Sequence, residues 1–356
     1  MDINNKIDCN NTNVLIDAFL SHKKKSLICI FNNYHHIINN TQINLDKTII
    51  LYKNNPLSYK LLNEYNDYDC IELFNPKKQF INRFHHEILI IDNFIIDYEV
   101  DEKNPFTIEI KLIDNDNNCI ISKSLTIHSL NSYFLDKKCV TTIFNSETEL
   151  LPVWIEYHKK IGFEKFIIYH NDSSDFNTNK LYDLFPQHTN DVFIIKANWN
   201  YWLDSYGHNS VGQCIQQNHC IWKYCPKFLL LTDLDEYVNI QNNYNFFDEN
   251  KFIVSIPNWF FGCNQTAQFN NDNFIHKLTK KMANPCKTEQ RKCLIQPEFV
   301  DIFCVHCPVI FNKNIIYLDY NECYLNHYWI LSYKKRNCHC ETYCQLDDYS
   351  ITNILK

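Results

Sequence analysis

Four short apolar runs, each followed by polar residues, constrain the fold of this chain more than any other feature. The runs cover residues 140–144, 166–169, 192–195 and 228–231. Between the first two, apolar residues recur at helical spacing from Leu150 to Ile161, and Gly162 predicts the end of that helix. A second helix is predicted from about Val211 to Tyr224. Strands that alternate with helices predict an α/β fold with a mostly parallel sheet flanked by helices.

Side chains that carry oxygen or nitrogen follow each of these runs. Asn145 follows the first run, Asn171 and Asp172 the second, Asn198 the third, and the acidic stretch 233–236 the fourth. Ligands of parallel α/β sheets bind beyond the carboxyl ends of the strands. The four polar ends are therefore expected to surround one ligand-binding crevice.

The stretch TDLDE after the fourth run carries the highest charge density of these ends. In an extended chain Asp233 and Asp235 lie on one side, while Leu234 turns into the core. Neighbouring carboxylates repel one another unless protons or a cation compensate their charge. Two hard oxygen donors suit Mg²⁺ or Mn²⁺, which complete their coordination with water and substrate phosphate oxygens. The stretch therefore predicts a divalent metal site, and the alternative is a solvated acidic turn.

The first part of the chain has a different rhythm, in which strand-like runs alternate with polar turns. These runs lie at residues 26–31, 48–52, 87–91, 106–112 and 119–127. The pattern predicts a β-rich accessory domain over residues 1–137 and an α/β catalytic domain over residues 138–356.

Composition excludes several classes of partner and site. The net charge of -7 gives no basic field for a nucleic-acid backbone. No apolar stretch of about 20 residues and no basic-then-apolar leader is present, so we expect a cytoplasmic protein without an integral membrane segment. The 17 cysteines are an odd number in a long chain and are expected to be reduced. With only 4 glycines and no glycine-rich phosphate motif, side chains and a metal would have to hold any phosphate.

Five blocks in the second half of the chain carry a family resemblance. They are residues 145–175, 212–238, 258–264, 291–309 and 326–332. Together they resemble glycosyltransferase family 92, whose members are nucleotide-sugar-dependent enzymes of the GT-A fold. The composition, rich in Asn, Ile and Lys, also resembles that of giant DNA virus proteins, which implies the host cytoplasm or the virion as the location.

The resemblance implies a role for each matching residue. Asp233 and Asp235 become the metal-binding DxD pair, with Glu236 in a supporting role, and the third protein ligand is a late histidine, either His327 or His306. Matching positions in the nucleotide pocket are Asn145, Glu147, Asn171, Asp172 and Gln213. Arg291 and Lys292 are expected to neutralise the diphosphate.

The implied reaction moves a sugar from a nucleotide-diphosphate sugar, with a UDP-sugar favoured, to a hydroxyl of a glycan or protein acceptor. Inversion is favoured and requires a carboxylate base, for which Glu298, Asp301 and Asp272 are candidates beside the catalytic Asp235. Replacing either aspartate of the DxD pair by asparagine is expected to abolish turnover with little loss of fold, because it relieves repulsion.

Several alternatives remain open from the sequence. Trp259 and Phe260 either stack on a sugar or pack into the core. The acidic strand end also suits a metal-dependent phosphoesterase or nucleotidyltransferase, and a non-catalytic, virion-associated binding protein is a third possibility. A structural zinc site is another candidate, with ligands among Cys304, His306, Cys307, Cys338, His339, Cys340 and Cys344.

Overall fold

The computed structural model of the chain divides into two compact units. The first comprises Met1–Tyr133 with Asn198–Cys225, and the second comprises Phe134–Ala197 with Pro226–Lys356. The structure describes residues 15–21, 25–31, 37–38, 41–61, 87–91, 94, 103–114, 116–128, 132–171, 179–197, 199, 201, 211–262, 278–283, 291–328, 331 and 344–355. Asp172, Asn198, Asp272 and the group Cys338, His339 and Cys340 lie outside these residues.

The described residues of the first unit form nine strands in two antiparallel sheets and one helix. The strands are β1 (Leu15–Leu20), β2 (Leu27–Phe31), β3 (Ile37–Ile38), β4 (Thr41–Tyr52), β5 (Asn55–Pro56), β6 (Lys60–Leu61), β7 (Glu87–Ile91), β8 (Phe106–Asp114) and β9 (Cys119–Ile127). One sheet has the order β1-β2-β7-β6, and the other has the order β3-β4-β8-β9 with β5 paired to β4. The five strand-like runs predicted here coincide with β2, β7, β8, β9 and the end of β4.

The second unit contains the four predicted strands of the α/β series and the first of its two predicted helices. Its strands are β10 (Lys138–Phe144), β11 (Lys165–His170), β12 (Val192–Lys196), β13 (Phe228–Leu231), β14 (Glu236–Ile240), β15 (Ile253–Ile256), β16 (Asn258–Gly262), β17 (Lys280–Met282), β18 (Lys292–Ile295), β19 (Val300–Cys304), β20 (Cys307–Phe311), β21 (Ile315–Tyr317), β22 (Cys323–His327) and β23 (Cys344–Asp347). The α-helices among the described residues are α1 (Leu151–Lys160), α2 (Asn179–Tyr182), α3 (Val211–Lys223) and α4 (Ser350–Leu355), of which α3 belongs to the first unit.

A seven-stranded mixed sheet forms the centre of the second unit. Its order is β12-β11-β10-β13-β18-β15-β21. The strands β10, β11, β12 and β13 are parallel, as their alternation with helices predicts. In contrast, β18 is antiparallel to both of its neighbours, β13 and β15. The sequence rhythm predicts the parallel half of the sheet and gives no sign of the reversed strand.

Helix α1 ends where the sequence predicts it to end. Gly162 has a φ of 104°, a conformation that side chains with a Cβ rarely adopt, and its N–H donates to the Lys159 carbonyl at 3.0 Å. The helix buries Trp154, Ile155 and Tyr157 against the apolar core of the second unit. None of the helices described in the chain is long and apolar enough to cross a bilayer.

A second sheet continues directly from the end of β13. Its order is β14-β22-β16-β17-β23. Residues 232–235 connect β13 of the seven-stranded sheet to β14 of this five-stranded sheet. The acidic stretch therefore forms the corner at which the chain passes from one sheet to the other, and side chains from both sheets reach it.

Candidate active site

The backbone of the acidic corner is fixed by hydrogen bonds from two sides. The Trp154 indole Nε1–H of α1 donates to the Asp233 carbonyl at 3.2 Å. The Tyr328 N–H, just after β22, donates to the Asp235 carbonyl at 2.7 Å. Within the corner, the Glu236 N–H donates to the Asp233 carbonyl at 3.2 Å. The two aspartates are therefore held on a defined turn rather than on a solvated loop.

A buried lysine compensates the charge of the first aspartate. The antiparallel pairing of Cys293 with Leu231 places Lys292 beside the end of β13, and its Nζ lies 2.8 Å from Asp233 Oδ2. Lys292 is 1% exposed. Burial disfavours its ammonium form, but the facing carboxylates outweigh burial and raise the pKa of Lys292. Burial likewise opposes ionisation of Asp233, but the Lys292 ammonium outweighs it and holds the pKa of Asp233 below its ordinary value.

Glu236 connects the parts of this cluster. Its Oε2 accepts a hydrogen bond from the Thr232 hydroxyl at 2.8 Å and one from the Asp233 N–H at 2.9 Å. Lys292 Nζ lies 3.7 Å from the same oxygen, and the Asn258 amide donates to Oε1 at 3.5 Å. Burial raises the pKa of Glu236, although Lys292 opposes that rise. Glu236 is 1% exposed, so its role is to fix the conformation of the corner through these hydrogen bonds rather than to contact a ligand.

The histidine next to the second aspartate is His327. It pairs in register with Glu236 across β14 and β22, and its Nε2 lies 3.4 Å from Asp235 Oδ2. Its Nδ1 lies 3.7 Å from Glu236 Oε1. Burial disfavours the imidazolium, but Asp235 outweighs this and raises the pKa of His327. His306, the other candidate, lies in the turn between β19 and β20 with Nδ1 3.2 Å from the Arg291 carbonyl.

Three of the residues expected to line the nucleotide pocket, Asn145, Glu147 and Asn171, lie at the same edge of the sheet as this corner. Asn171 follows β11, and its amide donates to the Ala197 carbonyl at 2.7 Å, which ties the ends of β11 and β12 together. Glu147 accepts the N–H groups of Asn145 and Ser146 at 3.3 and 3.1 Å. These residues follow β10 and β11, which are parallel to β13, so they and the acidic corner share the carboxyl edge.

Two of the candidate general bases, Glu298 and Asp301, come after β18 in the chain. Because β18 runs antiparallel to β13, Ile295 pairs with Leu229, toward the amino end of β13. Glu298 is exposed and comes after Ile295 in the chain. The length of β18 between Lys292 and Ile295 therefore separates it from the corner by about 10 Å or more. Asp301 follows three residues later, in the early part of β19.

Two further predicted residues, Arg291 and Gln213, are also described by the structure. Arg291 donates to the Ser255 hydroxyl and to the carbonyls of Ser255 and Leu318, each at 2.8 Å. Its guanidinium therefore links β18 to the region of β15 and β21. Gln213 is buried in α3 of the first unit.

The donor set of the corner is compatible with a divalent cation, but only in part. Asp235 Oδ2 and His327 Nε2 converge, whereas the Asp233 carboxylate faces Lys292. Within the described residues, no group of three or more His, Cys, Asp or Glu side chains is placed to hold a metal, which includes the zinc candidates Cys304, His306 and Cys307. A site with two protein ligands suits Mg²⁺ or Mn²⁺, because these ions commonly take their remaining oxygens from water and substrate phosphates.

Sequence reasoning missed the role of Lys292 as the partner of Asp233, and it missed Asn258. The two members of the ion pair are 59 residues apart in the chain. Only the pairing of β13 with β18 brings them together. A lysine that directly follows an arginine carries no local signal of burial, so its partner could not be inferred from the sequence.

Comparison with known proteins decides the family. The sequence model of glycosyltransferase family 92 matches residues 138–354. This chain belongs to glycosyltransferase family 92. The family 92 enzyme is accordingly a glycosyltransferase, which uses a nucleotide-sugar donor and an acceptor. No curated protein matches its sequence.

Among solved structures, the family 92 enzyme is similar to residues 1–349 of TarS from S. aureus. The two are 13% identical, the match covers 61% of this chain and 69% of the TarS chain, and the TM-score is 0.32.

Proposed function

We propose that this family 92 glycosyltransferase transfers a sugar from a nucleoside-diphosphate sugar to a hydroxyl of a glycan or protein acceptor, with Mn²⁺ or Mg²⁺ held at the acidic corner. The observation that carries the proposal is the convergence of Asp235 Oδ2 and His327 Nε2, 3.4 Å apart, where β13 ends. A UDP-sugar is the expected donor, and the GT-A arrangement is the expected fold.

Asp235 and His327 are the residues that would hold the cation. When bound, the cation would neutralise charge on the diphosphate leaving group as the bond to the sugar breaks. The negative side chains at the acidic corner outnumber the positive ones. Three carboxylates, those of Asp233, Asp235 and Glu236, face a single ammonium, that of Lys292, and an imidazole. A net negative charge therefore remains at the corner and favours a cation.

Lys292 and Glu236 keep the corner in the shape that this binding requires. Lys292 removes the repulsion between Asp233 and its neighbours. Glu236 holds the Asp233 N–H and the Thr232 hydroxyl from beneath, and it faces the second nitrogen of His327. A carboxylate beside the far nitrogen of a metal-binding histidine commonly fixes the orientation of the ring. In this proposal His327 presents Nε2 toward Asp235 for that reason.

The nucleotide is proposed to lie along the shared carboxyl edge of β10, β11 and β12. Asn145, Glu147 and Asn171 are located there. Inversion at the sugar carbon is the expected stereochemistry, and it needs a carboxylate base close to the corner. The location of Glu298 near the opposite end of β13 makes it a poor choice for that base.

A donor screen tests the proposal. The protein is incubated with UDP-, GDP- and CMP-sugars in the presence of Mn²⁺ or of a chelator, and the released products are separated. We expect metal-dependent release of a nucleoside diphosphate, and we expect Asp235→Asn to lose at least about a hundredfold of the rate. Asp301→Asn is the matched control, since it removes a carboxylate from the early part of β19 and should retain activity.

Other products would contradict the proposal in a defined way. Release of inorganic phosphate or pyrophosphate would support the phosphoesterase or nucleotidyltransferase alternative. Equal turnover in chelator and in Mn²⁺ would show that the reaction does not require a divalent cation. No turnover of any nucleotide sugar, combined with no binding of one, would favour a non-catalytic binding protein.

A further inference from the structure

A row of three side chains crosses the five-stranded sheet at the acidic corner. Glu236 of β14 pairs in register with His327 of β22, and His327 pairs in register with Phe260 of β16. Side chains at paired positions of adjacent strands project from the same face of a sheet. The imidazole of His327 therefore lies between a carboxylate and an aromatic ring, with 4.9 Å between the ring centroids of His327 and Phe260.

The alternation of side chains along β16 separates Phe260 from its neighbour Trp259. Asn258, on the same side of the strand as Phe260, reaches Glu236. Trp259 faces the other side, where its Nε1–H donates to the Met282 carbonyl at 2.8 Å and the Lys281 ammonium lies 3.9 Å from its ring centroid. Of the two aromatic residues that the sequence left open, Trp259 packs within the sheet and Phe260 adjoins the site.

Phe260 is also less buried than the aromatic residues of the core. The next residue, Phe261, is fully buried against Tyr328, whereas Phe260 retains a partly exposed ring. The ring of Phe260 lies next to the imidazole of His327, whose neighbour on the other side is the carboxylate of Glu236. Sugars present polar edges and an apolar C–H face, and aromatic rings in binding sites supply a flat apolar surface with few degrees of conformational freedom.

We infer that Phe260 is a specificity-determining residue that contacts the sugar of the nucleotide-sugar donor. This inference rests on the proposed function, because it requires the diphosphate to lie at Asp235 and His327. The sugar is bonded to that diphosphate, so it must occupy space next to the two ligands, and among the described residues Phe260 offers an apolar ring adjoining His327. The ring would pack against the C–H face and leave the sugar hydroxyls to polar groups.

If Phe260 contacts the sugar and not the nucleotide, its replacement should weaken binding of the nucleotide sugar but not binding of the free diphosphate. A binding experiment can measure the two affinities separately. The affinities of UDP-glucose and of UDP are measured by calorimetry with saturating Mn²⁺ for wild type, Phe260→Leu and Phe260→Tyr. If the donor screen identifies another nucleotide sugar, that donor and its free diphosphate replace them. We expect Phe260→Leu to weaken binding of the nucleotide sugar about five- to tenfold and binding of the free diphosphate less than about twofold. Phe260→Tyr keeps the ring and should bind both ligands like wild type.

Trp259→Phe is the matched control, since it changes the adjacent aromatic residue on the opposite face and should leave both affinities unchanged. Equal losses for nucleotide sugar and free diphosphate in Phe260→Leu would overturn the inference and assign Phe260 to positioning His327 alone. Unchanged affinities for both ligands would also overturn it. If wild type binds neither ligand in Mn²⁺, it is the proposed function that fails, and that result is distinct from both.

Discussion

Replacing Lys292 tests whether a buried ammonium compensates the acidic corner. Lys292→Met removes the charge while retaining much of the side-chain volume, and it leaves Asp233 and Glu236 without the cation that lies 2.8 and 3.7 Å from them. Removing one partner of a buried ion pair costs about 3–5 kcal/mol. Asp233→Asn should cost less, about 1–3 kcal/mol, because Glu236 still faces Lys292. This prediction reverses the expectation from sequence that the asparagine relieves repulsion.

Urea unfolding of wild type, both single variants and the double variant completes a double-mutant cycle. The measurements are made at pH 7 in chelator, so that bound cations do not contribute to stability. We expect the double variant to be less destabilised than the sum of the single variants by about 1–3 kcal/mol, because Asp233→Asn removes one of the two carboxylates that Lys292→Met leaves without their cation. Additive free energies within about 0.5 kcal/mol, or a stabilising Asp233→Asn, would refute the reasoning.

Three further predictions concern stability outside the corner. Asp17→Asn should destabilise the first unit by about 3–5 kcal/mol in urea unfolding, because it leaves the largely buried Lys223, 2.5 Å from Asp17 Oδ2, without its carboxylate. The exposed Asp116→Asn is the control. His158 is fully buried, and burial lowers its pKa from 6.5 to about 3, so stability should be complete above pH 6.5 and decline as pH falls through that window, by about 2 kcal/mol at pH 5. A His158→Phe variant should lack this pH-dependent loss, and an unchanged pH profile would contradict the assignment. Gly162→Ala should lower the thermal midpoint and cost about 1–2 kcal/mol, since φ is 104° and the new Cβ would meet Phe247 at 3.3 Å, whereas a neutral result would show that the helix end relaxes freely.

Local periodicity predicted those parts of the fold that local interactions determine. The strands β10, β11, β12 and β13 and the helix that ends at Gly162 are apolar runs with regular spacing, so their pattern indicates both the element and its buried face. The right-handed connection of strand, helix and strand then requires parallel pairing. The carboxyl edge that carries Asn145 and Asn171 follows from these two facts alone.

The remaining features depend on contacts between distant segments. Lys292 contacts Asp233 only because β18 pairs antiparallel with β13. Hydrophobic periodicity does not predict whether a strand pairs parallel or antiparallel with its neighbour. The same reversal carries Glu298 away from the corner, although it is close to Lys292 in sequence. The sequence did not choose between His327 and His306. The register of β22 with β14 places His327 beside Asp235.

The most direct test of the account is a titration of Mn²⁺ followed by the electron paramagnetic resonance signal of the free ion, in the presence of UDP. Wild type should bind a single ion, Asp235→Asn and His327→Phe should bind it at least about tenfold more weakly, and Asp233→Asn should bind it much as wild type does. Equal Mn²⁺ affinity in wild type and Asp235→Asn, or a loss confined to Asp233→Asn, would contradict the assignment of Asp235 and His327 as the cation ligands.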